Sequence, residues 1–149
     1  PQYVKLTGNR IEGTRAGYGV AICSGDHIEV VDNTISNTYL AGVSVYQHSG
    51  WFPPDRITIK GNTLTNCASG ELCYTSGAIS FFGWGGGKDQ GRISIVGNTI
   101  DKTPKAGVWT NWCTLKRATV KNNVFKGLGG GKLLIGDKER VKIEKTDFE

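Results

Sequence analysis

Ile57-Thr-Ile-Lys-Gly-Asn-Thr-Leu64 is one of six related segments, and their recurrence decides the fold. The others are Val4-Lys-Leu-Thr-Gly-Asn-Arg-Ile11, Ile28-Glu-Val-Val-Asp-Asn-Thr-Ile35, Ile93-Ser-Ile-Val-Gly-Asn-Thr-Ile100, Ala118-Thr-Val-Lys-Asn-Asn-Val-Phe125 and a degenerate Val141-Lys-Ile-Glu-Lys-Thr-Asp-Phe148. The anchors Asn9, Asn33, Asn62, Asn98 and Asn123 stand 24, 29, 36 and 25 residues apart. Self-similarity on this scale marks stacked units, each burying its apolar face with the help of its neighbours.

Each segment opens with alternating apolar residues, the signature of a strand buried on one face. A residue that tolerates left-handed backbone follows: Gly8, Asp32, Gly61, Gly97 or Asn122. The chain is expected to bend there. The Asn after the bend recurs once per coil, and coils stack about 4.8 Å apart, so these residues predict a hydrogen-bonded amide ladder. Ile11, Ile35, Leu64, Ile100 and Phe125 then point inward and open a second short strand. A third strand is read at Gly19–Ile22, Gly42–Val45, Ala78–Phe81, Gly107–Thr110 and Lys132–Ile135. Coils this short leave no room for helices, so each strand must pair with its counterpart in the next coil, in parallel and with right-handed crossovers. The expected interior is Val4, Leu6, Ile28, Val30, Ile57, Ile59, Ile93, Ile95, Val120, Val141 and Ile143. An antiparallel sandwich is the alternative, but Asn-Gly, the tight-hairpin signal, is absent.

The repeat Ile-x-Ile-x-Gly-Asn-x-Ile resembles that of the right-handed parallel β-helix of pectate-lyase-like proteins. The resemblance spans residues 4–148. It implies an all-β chain, a right-handed single-stranded parallel β-helix of about six coils forming one domain over residues 1–149. It also implies an extracellular protein that acts on or binds an acidic polysaccharide, as a lyase or a depolymerase. The same scaffold carries non-catalytic structural and adhesive domains, tailspike-like or on cell surfaces, and that is the alternative.

Composition adds bounds. The net charge is +5 without a local basic run, which suits an anionic ligand and gives no nucleic-acid tail. No apolar run reaches the length of a membrane span. No nucleic-acid or membrane partner is expected. Six coils make a short trunk, and the first segment begins directly in a strand; a preceding domain or a second copy is expected to cover that open coil. Of the four Cys, Cys67 and Cys73 bracket a polar loop and are expected to close a disulfide; Cys23 and Cys113 read as small interior or turn residues. No cofactor is expected: two His cannot complete a familiar zinc site, and no motif specifies calcium.

Candidate chemistry lies in the loops after the third strand, where coil length varies most. All four Trp fall in or beside them: Trp51, Trp84, Trp109 and Trp112. Aromatic faces pack on the C–H faces of sugars, and Arg56, Lys88, Arg92, Asp55 and Asp89 supply charge in the same loops. These nine residues are the expected substrate-binding set. Asp55 and Asp89 are read as analogous residues one coil apart, suited to sharing an ion, flanking a glycosidic bond or pairing with the nearby Arg56 and Arg92. His48 is the candidate acid–base group because imidazole titrates near neutral pH, and Tyr46 leaves the same strand on the same side. A Tyr–His pair resembles the constellation of some alginate lyases and uronate epimerases on this scaffold. Of the epimerase motif Asp-Pro-His-Asp, set against Tyr46-Gln47-His48-Ser49, only the His is shared.

Overall fold

The computed structural model describes residues 2–71, 75–84, 89–136, 142–143 and 146–148. The strands come in triplets. The first is β1 (Gln2–Thr7), β2 (Arg10–Glu12) and β3 (Val20–Ile22); the second β4 (Asp26–Val31), β5 (Thr34–Ser36) and β6 (Val43–His48). The third is β7 (Asp55–Lys60), β8 (Thr63–Thr65) and β9 (Gly77–Trp84); the fourth β10 (Asp89–Val96), β11 (Thr99–Asp101) and β12 (Ala106–Asn111). The fifth is β13 (Thr114–Lys121), β14 (Val124–Lys126) and β15 (Leu133–Ile135), followed by β16 (Lys142–Ile143) and β17 (Thr146–Phe148). Every pairing joins a strand to its counterpart one triplet away, in parallel. Three sheets result: β1-β4-β7-β10-β13, which also carries β16 and β17; β2-β5-β8-β11-β14; and β3-β6-β9-β12-β15. The architecture is a right-handed parallel β-helix.

The interior follows from period-two alternation. Val4, Ile28, Ile57, Ile93 and Ala118 form one inward column of the first sheet, and Leu6, Val30, Ile59, Ile95 and Val120 the next. Ile35, Leu64 and Ile100 stack in the second sheet; Val43, Ile79 and Val108 in the third. All of these from the second coil to the fourth are buried. Each such side chain contributes about 1.5–3 kcal/mol on burial. Val4 and Leu6 pack on this core and are half-buried.

The bends lie where the sequence put them. Gly8, Asp32, Gly61, Gly97 and Asn122 all have φ between 54° and 66°. A second left-handed corner closes the second sheet, at Gly13, Asn37, Asn66, Lys102 and Gly127. After the first corner runs the ladder: Asn9, Asn33, Asn62 and Asn98 each donate backbone N–H and Nδ2 to Oδ1 of the Asn in the next coil, at 2.9–3.0 Å. From Asn33 to Asn123, each Nδ2 also donates to a backbone carbonyl one coil back, such as Val30 for Asn62 and Ile59 for Asn98. A buried amide with every donor and acceptor used is stabilising; a half-used one is costly.

Two expectations need correction. The sixth segment is shifted by five residues: Thr146 and Phe148 pair with Ala118 and Val120, and Ile143 pairs with Leu115. β13 is eight residues long and receives two short strands, so Thr146 does not extend the Asn ladder. Val141 lies outside the described residues, as does the side chain of Ile143. The second correction concerns Cys67, which is a free, buried thiol facing the carbonyls of Ile35 and Thr65 at 3.7 Å. Its Sγ is directed into the trunk, away from any outer loop; Cys73 lies outside the described residues. Cys23 and Cys113 are also free.

Candidate functional site

The outer face of the third sheet carries the sequence-predicted site. Ser44, Ser80 and Trp109 occupy one outward column; Tyr46 stands beside Phe82, and His48 beside Trp84. Alternation puts Ser44, Tyr46 and His48 on one side of β6. This face is not bare. An aromatic line crosses four coils: Tyr18 to Tyr46 at 6.0 Å, Tyr46 stacked on Phe82 at 5.0 Å, and Phe82 to Trp109 at 6.1 Å between ring centres. Below it, Ser80 Oγ donates to Ser44 Oγ at 2.9 Å, both residues fully buried. The aromatic pairs of the line are worth about 0.5–1.5 kcal/mol each beyond area burial. Trp109 is only 6 % exposed, so it packs the trunk and is not the open platform expected of it.

Tyr46 is half-buried within that line. Burial, and then a hydrogen bond and charge interaction with Cys23, raise its phenol well above the ordinary value. It is therefore a neutral phenol near pH 7, able to donate a proton-bearing hydrogen bond but not to act as a ready base. His48 Nδ1 lies 3.2 Å from the carbonyl of Ser49, and its ring 5.5 Å from Trp51. With Nδ1 as donor in that contact, Nε2 is left as the basic nitrogen.

The loop after β6 presents the open aromatics. Trp51 is 51 % exposed and Phe52 85 %. Its backbone is pinned at several points. The Trp51 N–H donates to the His48 carbonyl at 3.1 Å, and Ser24 Oγ donates to the Phe52 carbonyl at 2.9 Å. Gln47 clamps the loop to the next coil: Nε2 donates to the Trp51 carbonyl and Oε1 accepts from the Asp89 N–H, both at 2.9 Å. Trp112, 45 % exposed, occupies the corresponding turn before β13. Trp84 pairs through its backbone with His48, while its side chain and all of Lys88 lie outside the described residues.

Asp55, Arg56, Asp89 and Arg92 lie in the first half of β7 and β10 in the first sheet. Arg56 pairs with Asp26 one coil back, through Nε at 2.6 Å and through Nη2. Arg92 pairs in the same way with Asp55, through Nε at 3.2 Å and Nη2 at 2.7 Å, while its N–H donates to Asp55 Oδ1 at 2.8 Å. These contacts outweigh burial and hold the Asp55 carboxyl down to about 2, with the Arg92 side chain the largest cause. Asp55 and Asp89 are not equivalent rungs: Asp55 faces Asp26 in register and Asp89 faces Thr114. Of the readings open for them, pairing with arginine holds for Asp55, which faces Arg92 at 2.7 Å and Arg56 at 4.0 Å, and the two carboxylates are not placed to share an ion. Gly91 makes the Asp55–Arg92 pair fit, since a Cβ there would collide with the Asp55 carboxylate.

Asp26, Gln47, Cys23 and Arg117, which pairs in register with Arg92, stood outside the expected site set. One signal was present: Arg56, Arg92 and Arg117 each directly precede the first residue of a repeat segment, Ile57, Ile93 or Ala118.

Comparison with known families places this geometry. The family model described as "right handed beta helix region" matches residues 2–87, more than half of the chain. The chain belongs to that family. No curated protein and no solved structure gives a match.

Proposed function

We propose that this chain is an extracellular carbohydrate-binding β-helix whose ligand is an acidic polysaccharide lying across the loops of the second to fourth coils. One observation carries the reading. Trp51 and Phe52 are large, exposed and set on a backbone fixed by Ser24, Gln47 and His48. Exposed aromatics on a flexible loop would be ordered only at an entropic cost on binding; here that ordering is already done. Their faces suit sugar C–H surfaces, with Trp112 as a further platform. Lyase or depolymerase chemistry on this face would use His48 Nε2 as base, with the neutral Tyr46 phenol as hydrogen-bond donor.

A second reading is favoured by a different observation. Phe82 and Trp109 are buried in the aromatic line, so part of the aromatic set stabilises the trunk. That is what a non-catalytic structural or adhesive domain requires. The test mixes the protein with alginate, pectate and charged capsular glycans, and follows both binding and the absorbance of the unsaturated uronate that β-elimination produces. Binding supports the proposal, and new absorbance makes the protein a lyase. No binding to any of them supports the structural reading.

A further inference from the structure

A groove of about 240 Å³ runs along the outward face of the first sheet, on a different face of the trunk from the aromatic line. Arg56, Arg92 and Arg117 line one side of it in three successive coils, with His27 at the same level of the coil before. Thr58, Ser94 and Thr119 form a hydroxyl floor, one per coil. Glu29 is its one acidic lining residue and lies 3.4 Å from Lys5 Nζ.

Two features go beyond what stacking requires. The first is how the guanidinium groups are held. Asp26 and Asp55 engage Nε and Nη2 of Arg56 and Arg92, which fixes each plane and leaves the Nη1 amino group outside the pair. The second is the backbone. His27 and Arg56 have φ of 52° and 53°, and Tyr3, stacked on His27 at 4.5 Å, has 58°. Left-handed backbone at non-glycine residues is unfavourable, yet it recurs at one position in three consecutive coils. His27 Nδ1 lies 3.1 Å from Asp26 Oδ2 without hydrogen-bond geometry, a buried ring nitrogen with no hydrogen-bond partner among the described residues.

We infer that this groove is the part of the protein that reads the acid groups of the glycan: a linear chain lies along the stacking axis, its carboxylates meeting the oriented guanidiniums and its hydroxyls meeting Thr58, Ser94 and Thr119. The coil spacing of about 4.8 Å sets the repeat of these donors. Arginine forks match carboxylates in two-point contact, and a hydroxyl floor suits sugar hydroxyls. Asp26 and Asp55 act as positioning residues. The inference rests on the glycan-binding reading above, but locates the selection for acid away from the Trp51 loop.

The experiment measures affinity for polygalacturonate, alginate and neutral dextran over a range of salt, with melting curves for every variant. The Arg92→Gln, Arg117→Gln double variant is expected to lose about tenfold per guanidinium for the acidic chains. Its residual binding should be less sensitive to salt and its dextran binding unchanged. Ser94→Glu, on an outward floor position, is expected to give the same selective loss with the arginines intact. Gly91→Ala keeps every charge but displaces Asp55 from Arg92, and should weaken acidic binding alone. In parallel, Trp51→Ala should weaken acidic and neutral chains together. Parent-like acidic binding by both the double variant and Ser94→Glu, with Trp51→Ala impaired, overturns the groove and leaves the loop reading standing. A selective loss in the groove variants with Trp51→Ala parent-like supports the groove and removes the loop. Tighter binding of polyphosphate or duplex DNA than of any acidic glycan overturns the assignment of the ligand.

Discussion

Asn62 donates its backbone N–H and its Nδ2 to the single oxygen Oδ1 of Asn98, at 2.9 and 3.0 Å, with both residues fully buried. Asn33 makes the same two bonds to Asn62, and Asn62 Nδ2 also reaches the Val30 carbonyl at 2.8 Å. Replacing Asn62 by Leu strands the Asn33 N–H and the Val30 carbonyl inside the trunk. The expected cost is about 3–5 kcal/mol. Asn9→Ala, at the exposed end of the ladder, should cost under about 1 kcal/mol. Urea unfolding of the two variants checks the difference; equal costs would show that the ladder is not cooperative with the core.

The Asp55–Arg92 pair should leave a trace in acid. The folded pKa of Asp55 is depressed to about 2, so its stabilisation is full above the unfolded carboxylate value and is lost as pH falls from about 4 towards 2. The pair is partly exposed, which limits its worth to under about 1 kcal/mol. Melting curves of the parent and of Asp55→Asn should therefore converge below about pH 2 and separate above about pH 4. A constant gap across that range would deny the pair its role.

Cys67 and Cys113 should be inert to thiol reagents in the native protein. Burial raises both thiols, Cys113 to about 11, and keeps the attacking thiolate scarce. Alkylation at about pH 8, read by peptide mass mapping, should label them only after denaturant is added. Labelling of native Cys67, or its recovery in a disulfide with Cys73, would contradict its placement inside the coil.

Gln47 should matter through Trp51. Gln47→Ala removes two hydrogen bonds and should cost about 1–3 kcal/mol of stability at most. It should also weaken glycan binding by loosening the loop. In a double-mutant cycle with Trp51→Ala the two losses should not add, because both act on one platform. Additive losses would mean that Gln47 serves the trunk and not the loop.

The repeat made most of the trunk legible. Alternation at Ile57–Ile59 and Ile93–Ile95 named the buried columns, and a left-handed-tolerant residue before each Asn named the bend. The second corner carried an equally regular signal: Gly13, Asn37, Asn66, Lys102 and Gly127 each follow an inward residue by two positions. The shift of the sixth segment was hidden, because Val141 and Ile143 offer the apolar alternation of a strand start as readily as the observed Thr146 and Phe148. Pattern also brought Tyr46, His48 and Trp51 together on one strand and the loop after it, since loops and strand ends are local. It did not show the Asp26–Arg56 and Asp55–Arg92 pairs, which join residues about one coil apart and depend on side-chain reach. Nor did it show Trp109 buried, because an outward strand position becomes interior only when Phe82 closes over it.

The exposed aromatics of the loop face, Trp51 and Trp112, are proposed to bind polysaccharide. The measurement is the affinity of the parent, Trp51→Ala and Trp112→Ala for alginate and pectate, taken with the melting temperature of each. A loss of about 1–2 kcal/mol in binding is expected for each variant, roughly five- to thirtyfold, with melting temperatures close to the parent's. Unchanged affinity in both variants, with lowered melting temperatures, would contradict it and assign these side chains to packing.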